Sequence, residues 1–423
     1  MSSYPPYHIT HVQLHAQPGM PQLAQNGQGN YLVFWWEQIA LGDVYLEADQ
    51  VPDEEAYRAI VLKAITPAVQ HYAAKTGHPP NHWSAWYSQQ EFARWISWMQ
   101  TVFAPYQHAA LPPRVPVSVV ICTRNRAAIL RLCLESLRGL ACQPEEIVVV
   151  DNAPTDDSTQ QVVAAYPGVR YCVEPRPGLS HARNTGVAQA SCSILAFTDD
   201  DVVLHPDWVY QVWQTFQDQT VFAMTGLVLV SELQTEAQQI FEKHWSFNRG
   251  YQDIYYDPAY LQRVLPTGPP VWHIGAGANN AFRKAVFEEV GLFDERLGAG
   301  ASGCSEDSEM WFRILTHGHT IHYNPRAVVY HAHRQHLHEL QKQIFAYMRG
   351  HAAAALIQQE QCPQAGYTNY LYWSMPKYYA LLIRIGFPFF RFRSRTLWTE
   401  VKGLASGVLF YYRNRKRASN LPS

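Results

Sequence analysis

Several chemical signatures are missing from this chain of 423 residues. Its seven cysteines are scattered and contain no C-x-x-C pair, so they build neither a disulfide framework nor a thiolate zinc site. A reducing cytoplasm is the expected setting. The start, MSSYPPYHITHVQLHAQPGM, has no basic segment leading into an apolar one, and no secretory leader is expected. No run of about eighteen uncharged apolar residues occurs, which leaves no clear membrane-spanning helix. No period repeats along the chain. Charge of one sign is also lacking: 33 Lys and Arg stand against 35 Asp and Glu, a formal net charge of −2. There is no global field for nucleic acid, and no nucleic-acid partner is expected.

What is present reads as a globular α/β protein with 47% hydrophobic residues. The first 30 residues or so are polar and expected to be poorly ordered, and YLVFWWEQIALGDVYLEA then reads as two strands before a helix from Asp53 to about Ala74. This makes residues 1–112 a small N-terminal accessory module. In AALPPRVP the prolines at 112, 113 and 116 restrict their neighbours and mark a linker. From Val117 onward, short β-branched runs (VSVVICT, EIVVVDN, RYCVE, SILAF) alternate with helical segments (RAAILRLCLESLRGL, STQQVVAAY, LSHARNTGVAQA). That alternation predicts a mostly parallel sheet covered on both faces, over residues 113–340. Ligands of such sheets bind outside the carboxyl ends of the strands. Polar residues collect at those ends: Thr123 to Asn125, Asp151 with Asn152, and Asp199 to Asp201.

The identity of the ligand is narrowed by elimination. The first strand runs into CTRNR instead of G-x-G-x-x-G, which argues against a dinucleotide site, and no P-loop occurs. Three adjacent aspartates could form a calcium loop, but the sixth residue from Asp199 is Leu204 and the twelfth is Tyr210, where Gly and Glu are needed. A solvated turn capping HPDW is the plain alternative. At the end of a buried strand, oxygen ligands suit a hard Mg2+ or Mn2+ that shares its coordination with substrate phosphate.

The motifs VSVVICTRNR, EIVVVDNAPTDDST, PGLSHARNTG, ILAFTDDDV, GAGANNAFRKAVFEEVGLFDERLG, SEDSEMWFRIL and AVVYHAH, in this order between about Val115 and His333, resemble a family 2 glycosyltransferase of the GT-A fold. The resemblance implies a metal-dependent, inverting enzyme that moves a single sugar from a nucleotide-diphosphate-sugar donor, with UDP-sugars favoured, to a hydroxyl of a glycan or lipid-linked acceptor in surface-polysaccharide or glycolipid chemistry. It implies a donor site made of Thr123, Arg124, Asn125, Asp151, Asn152, Arg183, Asn184, Asp199 and Asp200. It makes Asp199 and Asp201 the ends of a D-x-D signature, with Asp201 the direct metal ligand and His331 an extra one. Of the acidic pair opening CSEDSEMWFRIL, Asp307 is the expected base and Glu306 a positioning acid. Gly277, Asn279 and Asn280 border the donor sugar and acceptor. The Q-x-x-R-W motif of the family's processive members is absent, which favours single transfer. A non-catalytic nucleotide-sugar or carbohydrate-binding protein on the same fold is the alternative. A nucleotidyltransferase would need a glycine-rich loop that CTRNRAAIL lacks.

Residues 341–423 have a different texture. From Tyr367 to Arg417 there are ten Lys and Arg against one acid, Glu400, interleaved with aromatics. An interfacial helical segment on the inner face of the cytoplasmic membrane fits this texture, and a helical clasp on the transferase core competes with it. Pro388 within FPFF predicts two helical pieces. If the segment is a separate membrane contact, its removal after Glu360 should spare donor binding.

Overall fold

The computed structural model describes residues 4–79, 82–107, 110–386 and 393–415. Its main sheet is built from β4 (Arg114–Thr123), β5 (Gln143–Asn152), β6 (Val169–Glu174), β7 (Ile194–Asp199), β8 (Val202–Leu204), β9 (Val221–Val230), β10 (Ile254–Tyr256), β11 (Asn279–Arg283) and β12 (Thr320–His331). The order is β10-β12-β9-β11-β7-β4-β5-β6, with β8 on β12. The pairs β4–β5, β5–β6, β4–β7 and β9–β12 are parallel, while β11 runs antiparallel between β7 and β9. Alternation along β4 accounts for the two covers. Val119 and Ile121 pack with Leu130, Leu134 and Trp208, whereas Val120 points oppositely into a cluster with Ala182, Phe282 and Trp311. Helix Leu179–Gln189 approaches so closely that a Cβ at Gly186 would lie 2.4 Å from Val120 Cγ1. Its first turn is thereby held at the carboxyl edge of β4, β5 and β7, where the polar clusters fall.

The N-terminal module differs from its sequence reading. Residues Tyr7–Gln13 form a strand, β1, paired in parallel with β2 (Gly29–Trp36), which pairs antiparallel with β3 (Ile39–Leu46). The expectation of a poorly ordered start and two strands is corrected, because β1 is stabilised by a partner some twenty residues away that local pattern does not reveal. Leu32, Phe34 and Trp36 pack on the module's own helices, with Asp53 capping Glu54–Lys75. Tyr31, Val33 and Trp35 face the opposite way, onto Leu227, Leu229 and Val328 of the main sheet. At the same junction the buried Asp253 carboxylate accepts from Lys75 Nζ at 2.9 Å and Arg326 Nη2 at 2.8 Å, and faces His71 Nε2 at 3.1 Å and His322 Nε2 at 2.8 Å. The module shares a buried face with the main sheet.

Beyond β12, helix Leu337–Gln361 packs along helix Leu397–Asn414. A Cβ at Gly403 would lie 2.7 Å from Met348 Cβ, and one at Gly407 2.2 Å from the Arg349 carbonyl oxygen, so only glycine lets the two helices come this close. Between them in sequence comes helix Met375–Gly386. Pro388, Phe389 and Phe390 fall outside the described residues. Among the described residues no helix is long and apolar enough to cross a membrane.

Candidate active site

The carboxyl ends of β4, β5 and β7 open into a cavity of about 1220 Å3. The aspartate triplet stands on its wall, and the protein itself supplies much of the compensating charge. Arg126 donates from Nη1 to Asp200 Oδ1 at 2.5 Å and from Nη2 to Asp201 Oδ2 at 2.8 Å. Thr123 Oγ1 donates to Asp200 Oδ2 at 2.6 Å. Asp200 is therefore buried with both oxygens engaged, and it fixes the turn that presents its two neighbours. Burial pushes its carboxyl up to about 6 in spite of Arg126. Asp199 is open to the cavity, yet desolvation and then the Asp201 charge push it up to about 7. Asp201 goes the other way: burial opposes its charge, but the charges of Arg126 and Arg334 hold it below the ordinary carboxylate value.

His331 reaches this corner from the end of β12, with Nε2 3.6 Å from Asp201 Oδ1. Its Nδ1 lies 3.1 Å from Nδ1 of His333, whose Nε2 lies 2.9 Å from Glu242 Oε2. With His333 donating from Nε2 to that carboxylate, its Nδ1 accepts, His331 Nδ1 donates, and the His331 Nε2 lone pair faces Asp201. Burial lowers the His331 pKa to about 4, which keeps the imidazole neutral. A carboxylate and a neutral imidazole converging in this way, with Asp199 open beside them, fit a divalent cation that takes its remaining ligands from water and a diphosphate. Among the described residues no group of three or more His, Cys, Asp or Glu side chains is close enough together to hold a metal ion by itself.

Across the cavity, helix Glu306–Thr316 starts from Ser305, a non-glycine residue at φ 73°, a strained conformation of the kind found at functional sites. The turn aims Glu306 and Asp307 at the buried Arg183. Arg183 Nη1 lies 3.0 Å from Glu306 Oε1, its Nη2 donates to the Gly277 carbonyl at 3.3 Å and lies 3.9 Å from Asp199 Oδ1. Its guanidinium also sits over Phe293, 5.5 Å from the ring centre. Burial raises the Glu306 pKa, with Arg183 opposing. Asp307 Oδ1 accepts from the Ser308 amide at 2.7 Å, while Oδ2 points toward Gly277. A Cβ on Gly277 would lie 2.8 Å from Arg183 Nη2 and 3.0 Å from Asp307 Oδ2; the absent side chain is what lets the carboxylate and the guanidinium converge.

Of the other residues singled out from sequence, Arg124 and Asn152 line the cavity. Asn152 also pins the loop before the Leu179–Gln189 helix, accepting from the Gly178 amide at 2.8 Å and donating to the Arg176 carbonyl at 2.8 Å. Asp151 is buried, takes the Tyr171 hydroxyl at 2.9 Å, and is not among the cavity-lining side chains. Asn125 accepts from the Thr155 amide at the surface. Two asparagines have structural partners. Asn184 accepts from the Phe293 amide at 2.9 Å and donates to the Phe293 carbonyl at 3.0 Å, which anchors a loop. Asn279 accepts from Trp208 Nε1 and donates to the carbonyls of Leu227 and Ala327, which cross-links the sheet. Asn280 is buried, and no hydrogen-bond partner for its amide is found among the described residues.

Sequence reading missed Arg126, His333 and Glu242, and the far wall of the cavity. That wall is formed by Trp272, His351 and Tyr347 together with Tyr370, Met375, Tyr378 and Tyr379. The C-terminal segment is thus part of the cavity, and the expectation that it can be removed without touching the site is corrected by its packing. Arg126 was open to discovery, as the second arginine of TRNR directly after β4.

Residues 118–291 match the family model described as Glycosyl transferase family 2. Over 234 residues the chain is 29% identical to the pre-mycofactocin glycosyltransferase of Mycobacterium tuberculosis, covering 54% of this chain and 46% of that protein. Over 223 residues it is 24% identical to the glucosyl-dolichyl phosphate glucuronosyltransferase of Haloferax volcanii, covering 51% and 68%. The chain therefore spans about half the length of the mycobacterial relative. A solved mannosyltransferase from Pyrobaculum calidifontis, in complex with GDP-Man and Mn2+, superposes with a TM-score of 0.48 at 17% identity, covering 81% of this chain and 98% of that one. The stretch from β4 past β11 is thus similar to glycosyltransferase family 2, and the sheet that carries it is mostly parallel.

Proposed function

We propose that this protein transfers one sugar from a nucleotide-diphosphate donor, UDP-sugars being the first to test, to a hydroxyl of a glycan or glycolipid acceptor, with inversion at the anomeric carbon. The observation that carries the reading is the placement of Arg183, which joins the aspartate corner to the Glu306–Asp307 turn inside one cavity. Arg183 and the first turn of its helix receive the diphosphate. Asp199, Asp201 and His331 would hold Mg2+ or Mn2+, which would supply charge compensation for a diphosphate. Asp307 Oδ2, free of the Ser308 contact that occupies Oδ1, takes the proton from the attacking hydroxyl. Attack from the face opposite the diphosphate inverts the anomeric centre in one displacement, and Glu306 keeps Arg183 in place through it.

A screen of nucleotide sugars by thermal shift with Mn2+ present tests the donor. A ligand at about a hundred times its dissociation constant adds about 2.7 kcal/mol of stability, so the true donor should raise the melting temperature clearly above its free sugar. Failure of every nucleotide sugar to do so rejects the proposal. A donor that binds but never releases its nucleotide diphosphate, with any acceptor, would favour the reading as a non-catalytic binding protein.

A further inference from the structure

Large apolar side chains are exposed unevenly over this molecule. Of sixteen among the described residues, nine lie between Tyr372 and Tyr412, a tenth of the chain. Helix Met375–Gly386 buries only Tyr379, whose hydroxyl donates to Glu400 at 2.9 Å. Its Tyr378, Leu381 and Ile385 are 44%, 51% and 66% exposed, and their spacing of three and four residues puts them on one outward stripe. The helix is amphipathic with its apolar side turned out. Helix Leu397–Asn414 repeats the arrangement: Gly403, Gly407 and Tyr411 pack inward, while Trp398, Leu409 and Tyr412 are about half exposed on the other side. The hydroxyls of Tyr372 and Tyr412 lie 3.4 Å apart, which joins the two stripes into one surface.

Charge indicates what covers that surface. Lys377 and Arg384 flank the first stripe at a spacing of seven residues, and Lys402 and Arg413 lie along the second. None of the four makes an ion pair among the described residues. Glu400, the one acid between Tyr367 and Arg415, is fully buried, and the exposed Glu360 beside the second helix is paired with Arg415, so the two helices present no unpaired acid of their own. Indole and phenol rings beside aliphatic side chains and unpaired cations match the headgroup layer of an anionic bilayer, where rings sit at the polar boundary and cations gain from lipid charge. A protein partner would have to bring an acidic rim and an apolar centre together, whereas the anionic bilayer offers both without a shaped counterpart.

We propose that this face docks on an anionic membrane surface, and that the acceptor is an amphiphile that enters the cavity from it. The second half rests on the transferase reading; the docking does not. Tyr378 belongs to the outward stripe and to the cavity wall, next to Tyr370, Met375 and Tyr379. The apolar end of the cavity thus lies beside the docking face, while the Asp307 end lies at the core of the sheet. An acceptor anchored by its tail would present its polar head inward, toward the base.

The full chain is tested by flotation with vesicles of phosphatidylcholine alone and of phosphatidylcholine with phosphatidylglycerol in equal parts. Wild type should float with the anionic vesicles, and less at high salt. The triple variant W373E/L381E/I385E, none of whose positions lines the cavity, should lose on the order of tenfold or more of that binding while keeping its melting temperature. Where the triple variant fails to fold, K377Q/R384Q should weaken anionic-vesicle binding without changing the melt. Wild type that ignores anionic vesicles, or a folded triple variant that floats as well as wild type, overturns the docking. So does a concentration-dependent dimer, abolished by the same substitutions, in a chain that does not float. Flotation requires no sugar nucleotide, so a chain that docks but binds no donor would leave the docking standing and sink the transferase reading instead.

Discussion

Arg183 Nη1 lies 3.0 Å from Glu306 Oε1 while its Nη2 lies 3.9 Å from Asp199 Oδ1, so a single buried guanidinium bridges the Glu306–Asp307 turn and the aspartate corner. Because Glu306 is almost wholly buried, removing its partner leaves an uncompensated charge in the interior. Arg183→Met should cost about 3–5 kcal/mol in denaturant unfolding and weaken donor binding by calorimetry. A variant with the wild-type unfolding midpoint would show that the pair carries no such compensation.

Asp307→Asn retains shape and the contact to the Ser308 amide but cannot take a proton. Turnover should fall by on the order of a hundredfold or more with donor affinity unchanged. Glu306→Gln should instead lower stability and donor affinity together, through Arg183. If Glu306→Gln abolishes turnover and Asp307→Asn retains it, the base has been assigned to the wrong acid.

The cation site can be read without turnover. Mn2+ binding measured by calorimetry should disappear in Asp201→Ala and be reversed by EDTA in wild type. Glu242→Gln, which disturbs the hydrogen-bond chain through His333 to His331, should weaken Mn2+ by about 10–100-fold. Unchanged Mn2+ affinity in Asp201→Ala removes the metal role from this corner.

Gly277→Ala places a methyl group 2.8 Å from Arg183 Nη2 and 3.0 Å from Asp307 Oδ2, closer than carbon tolerates. Carboxylate and guanidinium must move apart, and kcat should drop sharply while the melting temperature changes little, since the collision is with side chains at the cavity edge. Full activity in this variant would mean that the close approach is not used.

The junction at Asp253 predicts an acid-sensitive module. Burial opposes its charge, but hydrogen bonds from His322 and His71 and the charge of Arg326 hold the carboxyl well below its ordinary 3.8. A depressed carboxyl contributes stability that is complete above its unfolded value and is lost as pH falls below it. Asp253→Asn should therefore destabilise the chain at neutral pH and flatten the pH dependence of unfolding below about 4. An unchanged acid limb in the variant would assign that limb to other groups.

Local pattern was enough to read the main sheet and the composition of its edge. Runs such as EIVVVDN and SILAFTDDD announce a buried strand by local β-branched content and place their polar residues at its carboxyl end, which depends on nothing outside the run. Asp201, Arg183, Glu306 and Asp307 were legible for that reason, each belonging to a motif short enough to be read in place. What remained hidden depends on partners far along the chain. Asp200 and Asn279 read as ligand-binding groups in sequence, where nothing shows that Arg126 and Trp208, 74 and 71 residues away, are their partners. His333 becomes a positioning group only when packing brings Glu242 to it from 91 residues away. Strand β1 gains its order from β2, and the aromatic wall of the cavity comes from a C-terminal segment whose composition alone did not distinguish a clasp from a surface; tertiary packing made it both, burying Tyr379 and Gly407 while turning Leu381 and Ile385 outward. Hydrogen-bonding capacity belongs to the residue type, but whether that capacity is left for a ligand is decided by which distant backbone and side chains have already used it.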